Sequence, residues 1–390
     1  MTIIGAIRLS RAPASAFVIV GFFWGVFAAY VPAVKAKLDV GDAVFGSLLL
    51  ATSFGLISAM WLAPRIDKLL GDRSMQVAAV LLGASFLLPG FARTPAEFAM
   101  GMVVVGIGSG LLDVIMNARV SELEAFHGRP LMNANHGMFS VGYATAAVVS
   151  GLAREAGVTP FQMFATVGAL VVLCAVALKM PVYRAAEAGR PRKGGSMLVP
   201  VLLCGSIVLI AFMSEAAIES WSALHVERTL GGRAAEGALG PAMLGITMAI
   251  GRFSGQALSG RWPELTVILF ATVLSGLGAM IAAVAPAPFV AYIGFGTLGL
   301  GVSVIAPLAL AIAGKMVRPQ QRTKAISRVA VIGFAGFFLA PVLMGGISEL
   351  FGLRWAFVGV AVLLVGLFPL VAVLKSKLAE MEIKKKQPKP

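Results

Sequence analysis

The sequence has 390 residues, of which 58% are apolar and 13% are charged, and its formal net charge is +14. Soluble globular proteins have about 45–50% apolar and about 25% charged residues, so this composition excludes an ordinary soluble protein. The positive charges cluster beside apolar runs, which argues against a nucleic-acid surface and makes the lipid bilayer the expected partner.

Apolar runs of about 20 residues, the length that crosses the hydrocarbon core as a helix, recur along the chain. The first set is predicted at residues 14–34, 43–63, 75–92, 96–118, 133–153 and 160–181. The second set is predicted at residues 198–223, 237–258, 264–285, 288–313, 328–349 and 354–374. The pattern predicts an all-α membrane protein with twelve transmembrane helices, and the gaps are too short for a folded soluble domain.

A polar, basic segment separates the two sets of spans. The sequence therefore predicts four regions: an N-terminal six-helix bundle at 1–182, a linker at 183–197, a C-terminal six-helix bundle at 198–375 and a basic tail at 376–390. The halves also resemble each other, because Ser150–Gly157 matches Gly345–Gly352. The offset, 346 minus 151, is 195, which is half the chain. We expect two pseudo-symmetric bundles.

The Lys and Arg residues are distributed unevenly between the two sides of this topology. Of the 32, 24 lie on the side that holds both termini, seven lie on the other side and Arg252 falls within a span. Positive residues favour the cytoplasmic side, so we expect a multi-pass protein of the bacterial inner membrane with both termini in the cytoplasm. The first apolar run is long and lacks a small-residue cleavage site, which favours a span over a signal peptide.

The loop after the second span reads Ala63-Pro-Arg-Ile-Asp67-Lys-Leu-Leu-Gly71-Asp-Arg73. With two six-helix halves and a basic central loop, it resembles the major facilitator superfamily, whose loop here reads Gly-x-Leu-Ala-Asp-x-x-Gly-Arg-Arg/Lys. Ala63 replaces the first glycine, and one extra residue separates Asp67 from Gly71. The resemblance implies the fold of that superfamily and places Asp67, Gly71 and Arg73 in its gating loop.

Three further segments narrow the resemblance. Asp113–Asn117 in the fourth span, Gly128–Gly142 leading into the fifth and Ser214–Ser222 in the seventh are similar to the MosC/YbjJ-like branch of the superfamily. The resemblance implies a transporter and does not extend to a substrate.

Ionisable side chains within spans are costly and are therefore candidates for handling a solute or a proton. Asp113 and Asn117 are four residues apart on helix four, so both can meet one ligand. The alternative is a hydrogen bond between helices. Trp24 and Tyr30 on helix one are candidates for solute contacts or, alternatively, for aromatic packing.

Glu215 and Glu219 share one stripe of helix seven. Two carboxylates this close favour a proton on one of them, so we expect this pair, and Glu215 above all, to couple transport to protons. The alternative for Glu219 is a solvated position at the outer interface. Arg252, four residues before Gln256 on helix eight, requires a carboxylate or an anionic solute.

His136, Ser140 and Tyr143 recur at helical spacing on helix five. A histidine there can titrate near neutral pH, so His136 and Tyr143 are candidates for the solute or proton pathway. The alternative is that His136 makes a structural hydrogen bond.

Motifs for phosphate loops, zinc sites and nucleophile elbows are absent from the sequence. We expect no enzyme activity, no cofactor and no metal. The expected function is a proton-coupled secondary active transporter that moves a small solute as a monomer, by symport or antiport. The alternatives are an uncoupled facilitator, a drug or metabolite exporter of the same fold and, in a different class, a non-transporting membrane sensor.

Overall fold

The computed structural model describes the backbone of residues 2–182, 198–258, 262–317 and 321–386. The side chains of residues 255–258, 323 and 382–386 are outside this description, as is the linker expected at 183–197. In chain order the helices are α1 (Ile3–Leu9), α2 (Arg11–Leu38), α3 (Asp42–Leu70), α4 (Ser74–Ser85), α5 (Leu87–Phe91), α6 (Pro95–His127), α7 (Met132–Glu155), α8 (Pro160–Cys174), α9 (Leu198–Leu224), α10 (Ala234–Leu258), α11 (Glu264–Val284), α12 (Pro288–Lys315), α13 (Arg322–Phe351), α14 (Leu353–Val365) and α15 (Leu367–Lys386).

Every predicted span coincides with one helix or with two consecutive ones. The first six correspond to α2, α3, α4 with α5, α6, α7 and α8, and the last six correspond to α9, α10, α11, α12, α13 and α14 with α15. The prediction of an all-α membrane protein with twelve spans in two bundles is therefore confirmed.

Ten continuous helical segments among the described residues are long and apolar enough to cross a membrane. Two features explain why ten segments correspond to twelve predicted spans. Asp42–Phe91 is one such segment, but it contains two spans because α3 ends at Leu70 and the backbone turns at Gly71, with φ +56°. The second feature is α7, which is not among the ten segments because polar residues such as Asn133, Asn135 and His136 lower its hydropathy.

Several helices continue beyond the predicted spans. The structure extends α3 to Leu70 and α6 to His127, where hydropathy had placed the ends at 63 and 118. The extensions are polar, so a hydropathy window does not detect them. Likewise, α15 continues to Lys386, and residue 376, the expected start of the tail, lies inside a helix.

The two bundles repeat one arrangement of helices. In the first, α2 packs against α7, and α6 packs against both α3 and α4. In the second, α9 packs against α13, and α12 packs against both α10 and α11. Within the first bundle the backbones of α3 and α6 approach closely, since a Cβ on Gly55 would overlap the carbonyl oxygen of Val103.

The two bundles meet mainly along α7 with α10 and along α3 with α13, and α2 also contacts α9. The α7–α10 contact runs from Gly137 against Phe253 to Gly151 against Ala238, which is most of both helices. The close approach of α3 and α13 is near the start of α3, where Gly46 lies against Pro341.

We name the two ends of the molecule after one acidic residue at each. The Asp42 end comprises residues 38–42, 155–160, 225–234 and 349–353, where the contacts between bundles include those of the α3–α13 pair. The Asp67 end comprises residues 8–13, 67–74, 127–132, 315–317 and 321–322, and it includes the short helix α1.

Candidate functional site

Arg252 is the centre of a polar cluster between the bundles. Its Nη2 atom lies 3.2 Å from Oε1 of Glu215, and both side chains are largely buried. Its Nη1 atom donates hydrogen bonds to Oγ of Ser140 at 2.6 Å and to the carbonyl oxygen of His136 at 3.3 Å. Arg252 on α10 therefore connects Glu215 on α9, in its own bundle, to α7 in the other bundle.

The guanidinium of Arg252 also lies over the ring of Phe139, 6.0 Å from its centroid. A cation above an aromatic face is attracted by the ring quadrupole. The arginine is thus held by one carboxylate, one hydroxyl, one carbonyl and one ring, which satisfies its need for a partner without a bound anion. A solute that replaced the contacts of Arg252 with Ser140, His136 or Phe139 would loosen the link between the bundles.

Glu219 and Tyr143 lie beside this cluster. Glu219 interacts electrostatically with Glu215 and Arg252, and also with Tyr143 on the other bundle. The hydroxyl of Tyr143 is buried and has no hydrogen-bond partner among the described residues. A buried hydroxyl without a partner costs free energy, so this atom is available to a solute or a water molecule.

A second polar cluster lies within the first bundle. Nδ2 of Asn117 donates to Oδ1 of Asp113 at 3.2 Å, and Nε1 of Trp24 donates to Oγ of Ser109 at 3.0 Å. Ser109 is four residues before Asp113 on α6, so the two hydrogen bonds share one face of that helix. In the described part of the chain, no Lys or Arg lies within ion-pair distance of Asp113.

The remaining predicted pathway residues are placed differently. Tyr30 is fully buried near the Asp42 end, where its hydroxyl donates to the carbonyl oxygen of Val158 at 3.0 Å. The ring of His136 packs edge-on against Phe17, with centroids 4.8 Å apart. The side chain of Gln256 lies outside the described residues.

The predicted gating loop is organised around an arginine that sequence reasoning missed. Arg119 is 1% exposed, and its Nη2 atom lies 2.5 Å from Oδ1 of Asp67. Its Nη1 atom donates to Glu122 at 2.8 Å. Gly71 contributes a positive φ, while the side chain of Arg73 is exposed. The sequence contained one signal for this role of Arg119, since an arginine near the end of span four has acidic residues on both sides of it in the chain.

Asp42 is the centre of a third polar cluster, which joins the two bundles and which sequence reasoning also missed. Arg228 donates to both carboxylate oxygens of Asp42. Nζ of Lys35 is 3.0 Å from Oδ1, and Oγ of Ser348 donates to Oδ2 at 2.5 Å. Asp42 is 4% exposed, so a buried carboxylate receives two cations and a hydroxyl.

Two more ion pairs connect the bundles at the same end. Arg154 on α7 forms a two-point contact with Glu227, with distances of 2.7 and 2.9 Å. Arg233 lies 3.0 Å from Glu155. All the ion pairs between bundles in the described ranges are at the Asp42 end. The Asp42 end is therefore closed by charge, whereas the Asp67 end shows no such link in those ranges.

A π-helical turn, His225–Thr229, follows α9 and carries Glu227 and Arg228. Such turns insert an extra residue into the helical ladder and redirect the side chains they carry. Here the turn directs Glu227 towards Arg154 and Arg228 towards Asp42, so one segment of the second bundle supplies both partners.

The similarity of this chain to known proteins agrees with the fold described above. Residues 14–298 and 206–390 match the family model of the Major Facilitator Superfamily. The chain is 29% identical over 354 residues to an uncharacterised MFS-type transporter of Yersinia pestis, covering 90% of this chain and 91% of that protein. It is 27% identical over 345 residues to the membrane protein MosC of Rhizobium meliloti, covering 88% and 84%. The resemblance stated from the sequence is thereby confirmed.

Among solved structures, the chain is similar to a bacterial homologue of the human lysosomal transporter Spinster in an inward-facing and unoccupied conformation. The TM-score is 0.74 with 15% sequence identity, over 96% of this chain and 98% of that one. At this identity the likeness shows the fold alone. These comparisons point to a family of transporters and not of enzymes, as the sequence predicted.

Proposed function

Because this chain belongs to the Major Facilitator Superfamily, we propose that it is a proton-coupled secondary active transporter of a small solute. It works by alternating access across the bacterial inner membrane, as a monomer with bundles at 1–182 and 198–375. The linker at 183–197 and the tail from residue 376 are cytoplasmic. No cofactor takes part in this mechanism.

The observation that carries the proposal is the shared position of Arg252. It pairs with Glu215 in one bundle and donates hydrogen bonds to Ser140 and His136 in the other. A proton on Glu215 removes the charge that holds the guanidinium, so proton binding and the contact between bundles depend on each other. Asp113, without a cation in reach among the described residues, is the second candidate for the proton or the solute.

The charge distribution of the loops supports placing the Asp42 end at the periplasm and the Asp67 end at the cytoplasm. With this orientation the three ion pairs between bundles close the periplasmic side. The conformation is then inward-facing, which agrees with the named state of the Spinster homologue. The reverse movement requires these pairs to break.

The orientation gives a direct prediction. Reporter fusions at Gly189 and at Pro390 should both report a cytoplasmic location, because both positions lie on the side with excess Lys and Arg. A fusion at Gly157, in the loop between α7 and α8, is the matched control and should report the periplasm. A periplasmic signal at Gly189 or Pro390 would reject the orientation.

The function itself is tested with purified protein in sealed vesicles. Polyols, amines, sugars and small drugs are first screened for an increase in the unfolding temperature, which identifies a bound solute. We expect movement of that solute to change the internal pH of the vesicles, detected by an enclosed pH dye, and this pH change to disappear when a protonophore is added.

Two other outcomes would favour the alternatives. Solute flux that neither responds to a pH gradient nor moves protons would indicate an uncoupled facilitator or exporter. Binding without any flux, in vesicles whose orientation has been verified, would indicate a sensor. Empty vesicles and vesicles with heat-inactivated protein are the controls.

A further inference from the structure

A basic cavity lies at the Asp67 end of the first bundle, and all of its lining residues belong to that bundle. It has a volume of about 460 Å³ and is formed where α1, α2 and α6 meet the segment that follows α8. Its lining contains three cations, Arg8, Arg11 and Lys179, and no Asp or Glu. The remaining lining is mostly apolar and includes Leu123 and Met180.

The three cations retain positive charge that the described part of the chain does not neutralise. Neither Arg8 nor Arg11 has an ion-pair partner among the described residues, and both are exposed. Lys179 has one partner, Asp72, at 3.4 Å, and both side chains are about half exposed. Among the described residues, the three cations therefore have a single carboxylate partner, which contacts Lys179 alone.

The adjacent short helix α1 is suited to a membrane surface. It contains three isoleucines, of which Ile4 is 65% exposed, and Arg8 lies in its last turn. A helix with exposed apolar side chains beside basic ones lies at the boundary between headgroups and acyl chains. We therefore expect the cavity to open at the level of the phospholipid headgroups.

We propose that this cavity binds the phosphate headgroup of an anionic phospholipid of the adjacent leaflet. Three cations match an anionic phosphate, and the apolar part of the lining matches the glycerol and the first acyl carbons. A free inorganic anion would make no favourable contact with that apolar surface. The linker at 183–197 is an unsuitable occupant, because it contains four basic residues and one acid.

Binding at this cavity has a consequence for the gating loop. Lys179 is shared, since its alternative partner Asp72 lies in the turn Gly71–Arg73 that follows α3. A headgroup that draws Lys179 away from Asp72 removes a contact from that turn. The lipid and the carboxylate of Asp72 therefore compete for the same ammonium.

The test uses the full chain in detergent, with lipid binding measured by native mass spectrometry and by the shift in unfolding temperature. Phosphatidylglycerol, phosphatidylcholine and inorganic phosphate are the probes. We expect phosphatidylglycerol to bind about tenfold or more tightly than phosphatidylcholine. The triple variant Arg8→Gln, Arg11→Gln, Lys179→Gln should lose that preference, since each cation near a membrane surface is worth about fivefold.

The matched control removes the same charge from the same end, with the substitutions Arg65→Gln, Lys68→Gln and Arg129→Gln. It should keep the preference within about twofold of the unsubstituted protein. If both triple variants lost the preference for phosphatidylglycerol equally, or if the unsubstituted protein bound the two lipids equally, the proposed site would be wrong. Inorganic phosphate that competes at the concentration of phosphatidylglycerol would show that the occupant is a free anion.

Two single variants protect the test against misfolding and against a purely structural role. If the triple variant fails to fold, Arg8→Gln takes its place, because Arg8 is exposed and its loss should not disturb folding. This variant should weaken phosphatidylglycerol binding about fivefold. Asp72→Asn should strengthen it, because it frees Lys179. An unchanged affinity in Asp72→Asn would overturn the assignment of Lys179 to the headgroup.

Discussion

Replacing Glu215 with glutamine is expected to abolish the solute gradient that an imposed pH gradient generates, while exchange of solute across the same vesicles continues. With one proton moved per solute, a gradient of one pH unit supports a solute ratio of about tenfold. In Glu215→Gln this ratio should fall to about one. Radiolabelled solute counted inside the vesicles measures it.

The expectation rests on what the substitution keeps and what it removes. Glutamine has the size of glutamate, and its carbonyl oxygen can still accept a hydrogen bond from Arg252. It cannot bind and release a proton in the working range. The hydrogen bonds of Arg252 to Ser140 and His136 do not involve the Glu215 side chain, so we expect the contact between the bundles to be kept. Exchange requires only that the bundles move around a bound solute.

Glu380→Gln is the matched control, because Glu380 is a half-exposed acid on α15 with a local partner, Lys377. It should leave the solute ratio unchanged. If Glu215→Gln still builds a tenfold ratio, Glu215 is not the coupling group. Asp113→Asn is then the next variant, since Asp113 lies within the fourth span and has no Lys or Arg within ion-pair distance among the described residues.

Replacing Asp42 with asparagine is expected to open the Asp42 end. The substitution removes the carboxylate that Arg228, Lys35 and Ser348 share, and it leaves the two cations close together. Breaking a buried ion pair costs about 3–5 kcal/mol. Arg228 is 44% exposed, which reduces the expected cost to about 1–3 kcal/mol, or about 5- to 150-fold in the population of the open state.

Accessibility of a buried reporter measures this change. A single cysteine at Ser222, which is fully buried on α9 near the Asp42 end, is introduced after Cys174 and Cys204 are replaced. A membrane-impermeant maleimide added from that side should label it about fivefold faster or more in the Asp42→Asn background. Arg154→Gln, which breaks the separate pair with Glu227, should act in the same direction.

Asp39→Asn provides the control for charge at the same end. Asp39 is three residues from Asp42, is exposed and has a left-handed backbone that asparagine tolerates. Its loss should leave the labelling rate unchanged. If Asp42→Asn also leaves the rate unchanged, the ion pair between Asp42 and Arg228 does not hold the bundles together at this end.

The number and order of the spans could be predicted because each one is a continuous apolar run, and lipid leaves the helix as the only option for such a run. The ends could not be predicted in the same way. Arg119 and Glu122 read as loop residues by hydropathy, yet α6 continues through both. Their charges are compensated by contacts with Asp67 and with each other, and a sequence window does not include those contacts.

The residues of the central site could be predicted from the sequence, but the ion pair that they form could not. Glu215 and Arg252 were identifiable because an ionisable group within a span requires a partner, but nothing local indicates that they pair with each other. The cluster at Asp42 was less visible, since a charge at the end of a span usually faces water. Its partner Arg228 is 186 residues away in the sequence, and only the packing of the two bundles brings them together.

The low hydropathy of α7 has a consequence for how the protein is made. An isolated helix that carries Asn133, Asn135 and His136 partitions poorly into lipid, so α7 depends on its neighbours to enter the membrane. Asn135 finds partners on Ser10 and Leu131 in the first bundle. The face that meets α10 is covered only after about a hundred further residues have been synthesised. Biogenesis of the first bundle is therefore completed by the second.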